Sequence, residues 1–276
     1  MPAIFTLDVE NPHPGDPLAH VSATHRVLDL LDQHGITATI FFVAETAVAA
    51  PALVRACQAA GHEIALHSLD HQVITEQTPE TFRAATCRAK ALVEDICGAS
   101  VIGYRAPVFS LTPETVWAAQ VLQELGFTYS SSVLPGRSPL FSFPGAPRTP
   151  YLWPSGLVEF PAPVLPWLRL PYLGGIYLRY LPAVLISPLL RIDHTSTVKW
   201  SYCHPYDISL GDKSFRMAGV SLWANRLLMW NRAGTLGKLE RLIQQPALDW
   251  HPGFRSLLPA IKTGTALPTF SPAQTA

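Results

Sequence analysis

A chain of 276 residues is long enough for one large domain or two small ones, and 48 % apolar against 14 % charged residues excludes a disordered polymer. Its 20 basic and 20 acidic side chains cancel, leaving no electrostatic pull toward nucleic acid or anionic lipid. Many of the 26 prolines fall between Pro135 and Pro188, a composition shift that predicts long irregular loops.

The opening Met1 to Asp8 has no basic region followed by a long apolar run, so no secretory signal is expected. Cys57, Cys87, Cys97 and Cys203 show no C-x-x-C spacing, which favours buried thiols in a reducing cytoplasm over disulfides or a cysteine metal site.

In chain order, Ala3 to Leu7 is strand-like, and Leu18 to His34 carries Val27, Leu28, Leu30 and Leu31 at helical spacing before Gly35. Thr37 to Ala44 is a continuous apolar run, as expected of a strand buried on both faces. Ala50 to Ala60 reads as helix and Glu63 to Leu66 as strand. Pro79 opens a helix to about Cys97, closed by Gly98. Ser100 to Tyr104 is another strand, and Thr112-Pro113 caps a helix running to Leu125.

Phe127 to Ser131, Gly156 to Phe160 and Lys199 to Cys203 are further strands. A helix-like stretch over Ile176 to Ile192 precedes the last of them, and helices are expected over Val220 to Asn231 and Leu236 to Gln244. No internal repeat is evident, and no glycine-rich phosphate loop follows the first strand. Alternating strands and helices imply a parallel sheet, and about seven strands in one domain favour a barrel. The expected organisation is a barrel over 1–215, with a proline-rich insertion at about 135–190, then over 216–276 a helical extension packing on the barrel and a flexible tail.

In a barrel of this kind the chemistry gathers at the C-terminal strand ends. The first strand ends in Asp8-Val9-Glu10, the third in His67 to His71, the fourth in Arg105 to Phe109 and the last in His204 to Asp207. Ionisable residues almost 200 positions apart thus converge at one mouth. Two imidazoles and a carboxylate form a donor set that suits a catalytic divalent metal and leaves room for water. Asp8 and Glu10, two apart, point to the same side, so one can bind metal while the other stays free as a base. Arg105 is expected to fix a carboxylate through a two-pronged hydrogen bond.

These motifs resemble the polysaccharide deacetylases (NodB-homology, carbohydrate esterase family 4) over roughly Ala3 to Asp207. The resemblance is closest to a branch associated with exopolysaccharide biosynthesis, whose first strand ends in D-V-E. GHEIALHSLDH (Gly61 to His71), GYRAPVFSL (Gly103 to Leu111), LGFTYSSSVLP (Leu125 to Pro135) and YCHPYDI (Tyr202 to Ile208) are similar to the later motifs, in order. The resemblance implies a distorted (β/α)7 barrel and a divalent metal, commonly zinc, on Glu10, His67 and His71. It makes Asp8 the general base, Arg105 its positioning partner and His204 the general acid. Pro107, Phe109, Tyr129, Ser130 and Tyr206 would line the substrate, an N-acetylated glycan losing its acetyl group.

In one respect this chain departs from the family's pattern. Ser130 stands where the family usually has an aspartate that raises the basicity of the catalytic histidine, so His204 should be harder to protonate unless a group such as Asp207 compensates. The apolar, arginine-dotted run Pro163 to Leu190 leaves open a deacylase of a lipid-linked sugar at a membrane surface. A carbohydrate-binding barrel without turnover and an amidohydrolase of cyclic ureides are also compatible with these motifs.

Overall fold

The computed structural model describes residues 1–11, 15–193, 197–208, 226, 230–263 and 267–272. Strict alternation along its strands separates two cores. In β1 (Pro2–Val9) the odd residues Ala3, Phe5, Leu7 and Val9 face outward into a helix-covered core, whereas Ile4 joins an inner one. The inner core also holds Phe41 of β2 (Ala38–Phe42), Ala65 of β3 (Glu63–Leu66) and Tyr129 of β5 (Tyr129–Ser130). Trp200 of β8 (Lys199–Cys203) completes it from the far end of the sheet.

With β4 (Gly103–Tyr104), β6 (Tyr151–Leu152), β7 (Val158–Glu159) and β9 (Asp249–His251), the strands make one 9-stranded sheet in the order β6-β7-β5-β4-β3-β2-β1-β8, with β9 on β1. Every pairing is parallel except β6 with β7. The run from β7 to β8 curls into the expected distorted (β/α)7 barrel. Among the described residues no ladder joins β7 to β8; Trp200 Nε1 instead donates to the Pro161 carbonyl at 3.0 Å across that seam.

Outside lie α1 (Ala19–Gln33), α2 (Ala44–Ala49), α3 (Pro51–Ala59), α4 (Pro79–Cys97) and α5 (Trp117–Glu124). The proline-rich segment supplies α6 (Gly175–Tyr180) and α7 (Ile186–Ile192). After β8 come α8 (Thr235–Ile243) and α9 (Phe254–Thr263). The ends of α4 follow its sequence signals, with a Thr78 capping box, Pro79 in the first turn and Gly98 left-handed at φ 64°.

Four expectations need correction. The strands expected over 100–104, 127–131 and 156–160 shrink to two residues each, yet single bonds continue their ladder: Arg105 N to Leu66 O, 2.9 Å, and Phe160 N to Ser130 O, 2.8 Å. Ala44 begins α2 rather than ending a strand. The helix expected over 176–192 breaks at Leu181-Pro182, because proline lacks the N–H a continuing helix needs. The tail is anchored at 267–272, where Leu152 exchanges backbone bonds with Pro268 (3.0 Å) and Phe270 (2.8 Å). The helix expected over 220–231 and the boundary at 215/216 fall largely outside the described residues.

The C-terminal segment enters the barrel itself. β9 pairs with Pro2 to Ile4, and Phe254 plugs the interior with its ring 4.6 Å from Phe160 and 5.5 Å from Tyr129. Gly253, at φ 97°, permits this approach, since a Cβ there would lie 2.6 Å from Glu63 Oε2. Removing so large a buried ring leaves a cavity. Phe254→Ala is therefore expected to cost about 3–5 kcal/mol in denaturant unfolding; a loss below about 1 kcal/mol would contradict the plug.

Candidate active site

Inward alternation of β1 carries Thr6 and Asp8 up one line of the barrel wall, Glu10 follows just past the strand end, and all three are buried. Asp8 Oδ1 accepts from Arg105 Nη1 at 2.6 Å. The same nitrogen donates to Thr6 Oγ1 at 2.7 Å, so the contact to Asp8 is single rather than the two-pronged one expected. Arg105 is 0 % exposed, its guanidinium 4.1 Å from the Phe41 ring centre and 4.4 Å from that of Trp200. Its remaining donors reach Ser131, Nε to the carbonyl at 3.3 Å and Nη2 to Oγ at 3.1 Å. A charge so enclosed is fixed in position, and so is the carboxylate it holds.

Glu10 points at the imidazoles. Its Oε2 lies 2.5 Å from His71 Nε2 and its Oε1 3.6 Å from His204 Nε2. Tyr206 also hydrogen-bonds Glu10. His67 Nδ1 faces the Arg105 carbonyl at 2.9 Å; a carbonyl only accepts, so Nδ1 carries the proton and Nε2 is left as a donor for a metal. Ligand atoms of Glu10, His67 and His71 all lie within 4.8 Å of one another. Burial opposes the Glu10 charge, but His71, His204 and His67 outweigh it and hold the carboxyl well below its usual range. Burial lowers His67 to about 4, which keeps it neutral, as a ligand must be.

The donor chemistry fits the metal that the resemblance implies. His71 Nε2 and Glu10 Oε2 meet at 2.5 Å as a hydrogen-bonded pair in which the carboxylate favours the protonated imidazole, and two imidazoles with a carboxylate suit a divalent ion that displaces that proton. The loop that carries His67 and His71 is held firmly. Ser68 and His71 both adopt left-handed backbone, φ 74° and 66°, a state costing roughly 1–3 kcal/mol per non-glycine residue. His71 N donates to Ser68 Oγ at 2.8 Å, and α2 donates Ala44 N and Glu45 N to Ser68 O and Leu69 O.

His204 sits across from this cluster, its Nε2 3.9 Å from Asp8 Oδ2. Its Nδ1 meets Asp207 Oδ2 at 2.8 Å, and Asp207 Oδ1 lies 3.1 Å from Arg179 Nε, a buried pair. Burial disfavours the imidazolium, but Asp207, then Glu10 and Asp8, outweigh it and push His204 up to about 9. Of the two outcomes left open by Ser130, this contact favours compensation by Asp207. Ser130 lies on the outward side of β5, its hydroxyl donating to Ser132 Oγ at 2.7 Å beside the buried Glu159. Asp207 supplies the charge instead.

Two expected substrate contacts are also corrected. Tyr129 and Ser130 are 0 % exposed, and the Tyr129 hydroxyl donates to Glu63 Oε1 at 2.9 Å, deep in the barrel at the start of β3. Pro107 and Phe109 follow β4 at the mouth, where Val108 and Phe109 are left-handed at φ 47° and 57° and the Phe109 ring packs on Tyr202. Tyr206 stacks on His204 with ring centres 4.7 Å apart and only 6° between planes. Sequence reasoning missed Thr6 and Ser131, which an inward count along β1 and β5 would have found. It also missed Arg179, for which the sequence holds no signal. Arg179 reaches Asp207 because Gly174 and Gly175 let α6 press on Tyr202; a Cβ on Gly174 would lie 2.3 Å from that ring.

The family model described as polysaccharide deacetylase matches residues 11–130, and one described as a domain of unknown function (DUF3473) matches 131–252. Residues 11–130 thus match the polysaccharide deacetylase family. A chitooligosaccharide deacetylase of Azorhizobium caulinodans is 31 % identical over 104 residues, 37 % of this chain and 47 % of that protein. Peptidoglycan-N-acetylglucosamine deacetylase PgdA of Listeria monocytogenes is 29 % identical over 105 residues, 38 % of this chain and 21 % of that protein. The chain thus spans less than half the length of these curated relatives.

A solved structure from Mycobacterium smegmatis, described as a candidate polysaccharide deacetylase, shares the fold with TM-score 0.68 and 21 % identity over 98 % of this chain and 93 % of that one. A family 4 carbohydrate esterase from Streptomyces lividans in complex with acetate does so at TM-score 0.51 and 16 % identity, covering 98 % of each chain. Both matched segments build one mouth, with His67, His71 and Arg105 in the first and Arg179, His204 and Asp207 in the second. His67→Ala and His71→Ala are each expected to abolish zinc retention after dialysis, a larger effect than the roughly 10–100-fold of outer-shell changes. Metal content unchanged in both variants would remove the cluster as a metal site.

Proposed function

We propose that this chain is a metal-dependent N-deacetylase that hydrolyses the acetamide of an N-acetylated glycan. The observation that carries the reading is the division of labour between two neighbouring carboxylates. Arg105 holds Asp8 Oδ1 while Oδ2 faces His204, and Glu10 turns to His67 and His71. A divalent ion on Glu10, His67 and His71, zinc being the simplest choice, would polarise the acetyl carbonyl and acidify water.

Asp8 Oδ2 accepts the proton of the attacking water, whose oxygen bonds to the acetyl carbon. His204, charged through Asp207 and Arg179, delivers a proton to the amide nitrogen as the C–N bond breaks. Acetate and a free amino sugar leave. Pro107, Phe109 and Tyr206 border the mouth where the sugar would lie. The glycan class draws support from the deacetylases of chitooligosaccharide and peptidoglycan among the relatives and from the D-V-E opening resembling the exopolysaccharide branch.

A second reading, a lipid-linked sugar met at a membrane surface, is favoured by one observation. Trp167, Leu168 and Leu170 are 78 %, 57 % and 37 % exposed around Arg169, on a turn closed by the Val164–Pro171 bridge. No helix among the described residues is long and apolar enough to cross a membrane. Four free cysteines support the reducing cytoplasm as the compartment, with peripheral contact to the inner membrane in this second reading. Co-sedimentation with vesicles, lost in Trp167→Ser, would favour it.

The deacetylase reading is tested by acetate release from N-acetylated oligosaccharides with the zinc-loaded protein. Asp8→Asn is expected to retain zinc and lose roughly 10²–10⁴-fold in kcat. Activity within about threefold of the parent would refute Asp8 as the base.

A further inference from the structure

Outside the metal cluster and its base, one fully buried carboxyl group has no part in the chemistry described so far. Glu159 ends β7, is 0 % exposed, and stands in register with Ser130 of β5. Among the described residues it is answered by N–H groups rather than by a cation. Its Oε1 accepts Ser132 N at 2.6 Å and Val133 N at 3.0 Å, and its Oε2 accepts Trp153 Nε1 at 3.2 Å. Successive N–H groups of a strand point to opposite sides, so two that converge on one oxygen mark the place where β5 leaves its ladder. Such a concavity of backbone donors suits an anion.

Ser132 stands at the junction of two rigid peptide planes that run to the site. The Ser131–Ser132 peptide gives its N–H to Glu159 and takes, on its carbonyl, the bond from Arg105 Nε at 3.3 Å. In a trans peptide these two groups point opposite ways from one plane, so an acceptor fixed on one side aims the carbonyl on the other. Arg105 in turn holds Asp8 at 2.6 Å. The Arg105–Ala106 peptide works in the same way. Its N–H donates to Ser132 Oγ at 2.9 Å, and its carbonyl accepts His67 Nδ1–H at 2.9 Å. Hydrogen bonds joined in line polarise one another, which strengthens both chains.

Phe160, next to Glu159, tightens the grip. Its carbonyl accepts Ser131 Oγ–H at 3.2 Å, and that hydroxyl oxygen accepts Arg105 Nη2 at 3.1 Å. A tie needed only to keep β5 against β7 is already present in the ladder, Phe160 N to Ser130 O at 2.8 Å. Burial disfavours the Glu159 charge and raises its carboxyl, a cost that a wall tie alone would not require.

We infer that Glu159 is a positioning residue for both halves of the site, acting through Ser132 on Arg105 and Asp8 along one peptide and on His67 along the other. It touches neither substrate nor metal. The inference deepens the deacetylase reading and rests on it for the effect on turnover, whereas the effect on His67 is read from zinc alone.

Zinc affinity, by chelator competition, and kcat with KM at saturating zinc are compared in the parent and its variants. Glu159→Ala is expected to weaken zinc binding and to lower kcat by roughly 10–100-fold each, as the loss of an outer-shell partner does, with KM within about twofold. Trp153→Phe removes only the bond on the far oxygen. It should lower the thermal midpoint and leave zinc affinity and kcat at the parent values. Glu159→Gln sets an amide nitrogen against either the indole N–H or the two backbone N–H groups, and should resemble Glu159→Ala. Adding Trp153→Phe to it removes that conflict and should restore both readouts to within about threefold of the parent. The two glutamine variants decide the matter if Glu159→Ala does not fold. Parent values in Glu159→Ala or in Glu159→Gln alone, equal losses in Glu159→Ala and Trp153→Phe, or no rescue in the double variant would overturn the inference. A zinc difference with no acetate release even by the parent would overturn the deacetylase reading and leave the positioning role standing; acetate release with zinc affinity and kcat alike in all variants would do the reverse.

Discussion

Two carboxylates buried two residues apart on one strand repel each other, and each would be costly to ionise without compensation. Asp8 and Glu10 are in that position, 2 % and 7 % exposed, at the end of β1 and just past it. The surrounding structure answers each separately. Asp8 receives the buried Arg105, itself enclosed by Phe41, Trp200 and Ser131, while Glu10 receives imidazoles from the segments that follow β3 and β8. Separating the two compensations makes two chemically different oxygens available at one mouth. Breaking a buried pair of this kind by removing one partner costs about 3–5 kcal/mol, so the arrangement also constrains the fold.

Behind His204 a second buried pair repeats the device. Asp207 takes the imidazole Nδ1 on one oxygen and faces Arg179 with the other. Arg179 comes from α6, in the proline-rich segment, so the insertion reaches the barrel mouth through Asp207 rather than decorating the surface. The same segment lies in the range matched by the second family model, whereas the loop that carries His67 and His71 lies in the first. The boundary between the two matches follows Ser130 directly and cuts the extended segment that continues through Ser131, so the two ranges are halves of one barrel.

Much of this was legible in the sequence because it follows from periodicity and punctuation. Proline and glycine framed α4, apolar runs marked β1, β2 and β8, and ionisable residues at strand ends pointed to the mouth. Short strands were the least legible, since β4, β5 and β7 each keep two paired residues and continue by isolated bonds that leave no compositional trace. Ser130 misled for a related reason. Motif position suggested proximity to His204, but a two-residue period turns residue 130 outward and residue 131 inward. Arg179 and the Phe254 plug depend on contacts between distant segments, and no local pattern announces them.

The central claim is that Glu10, His67 and His71 share one divalent ion at the barrel mouth. X-ray absorption at the zinc edge of the loaded protein tests it most directly. A first shell of oxygen and nitrogen at about 2.0–2.2 Å, with scattering from two imidazoles, and no such shell at the zinc edge of dialysed His71→Ala, is the expected result. Sulfur at about 2.3 Å, or a spectrum unchanged by His71→Ala, would contradict the account.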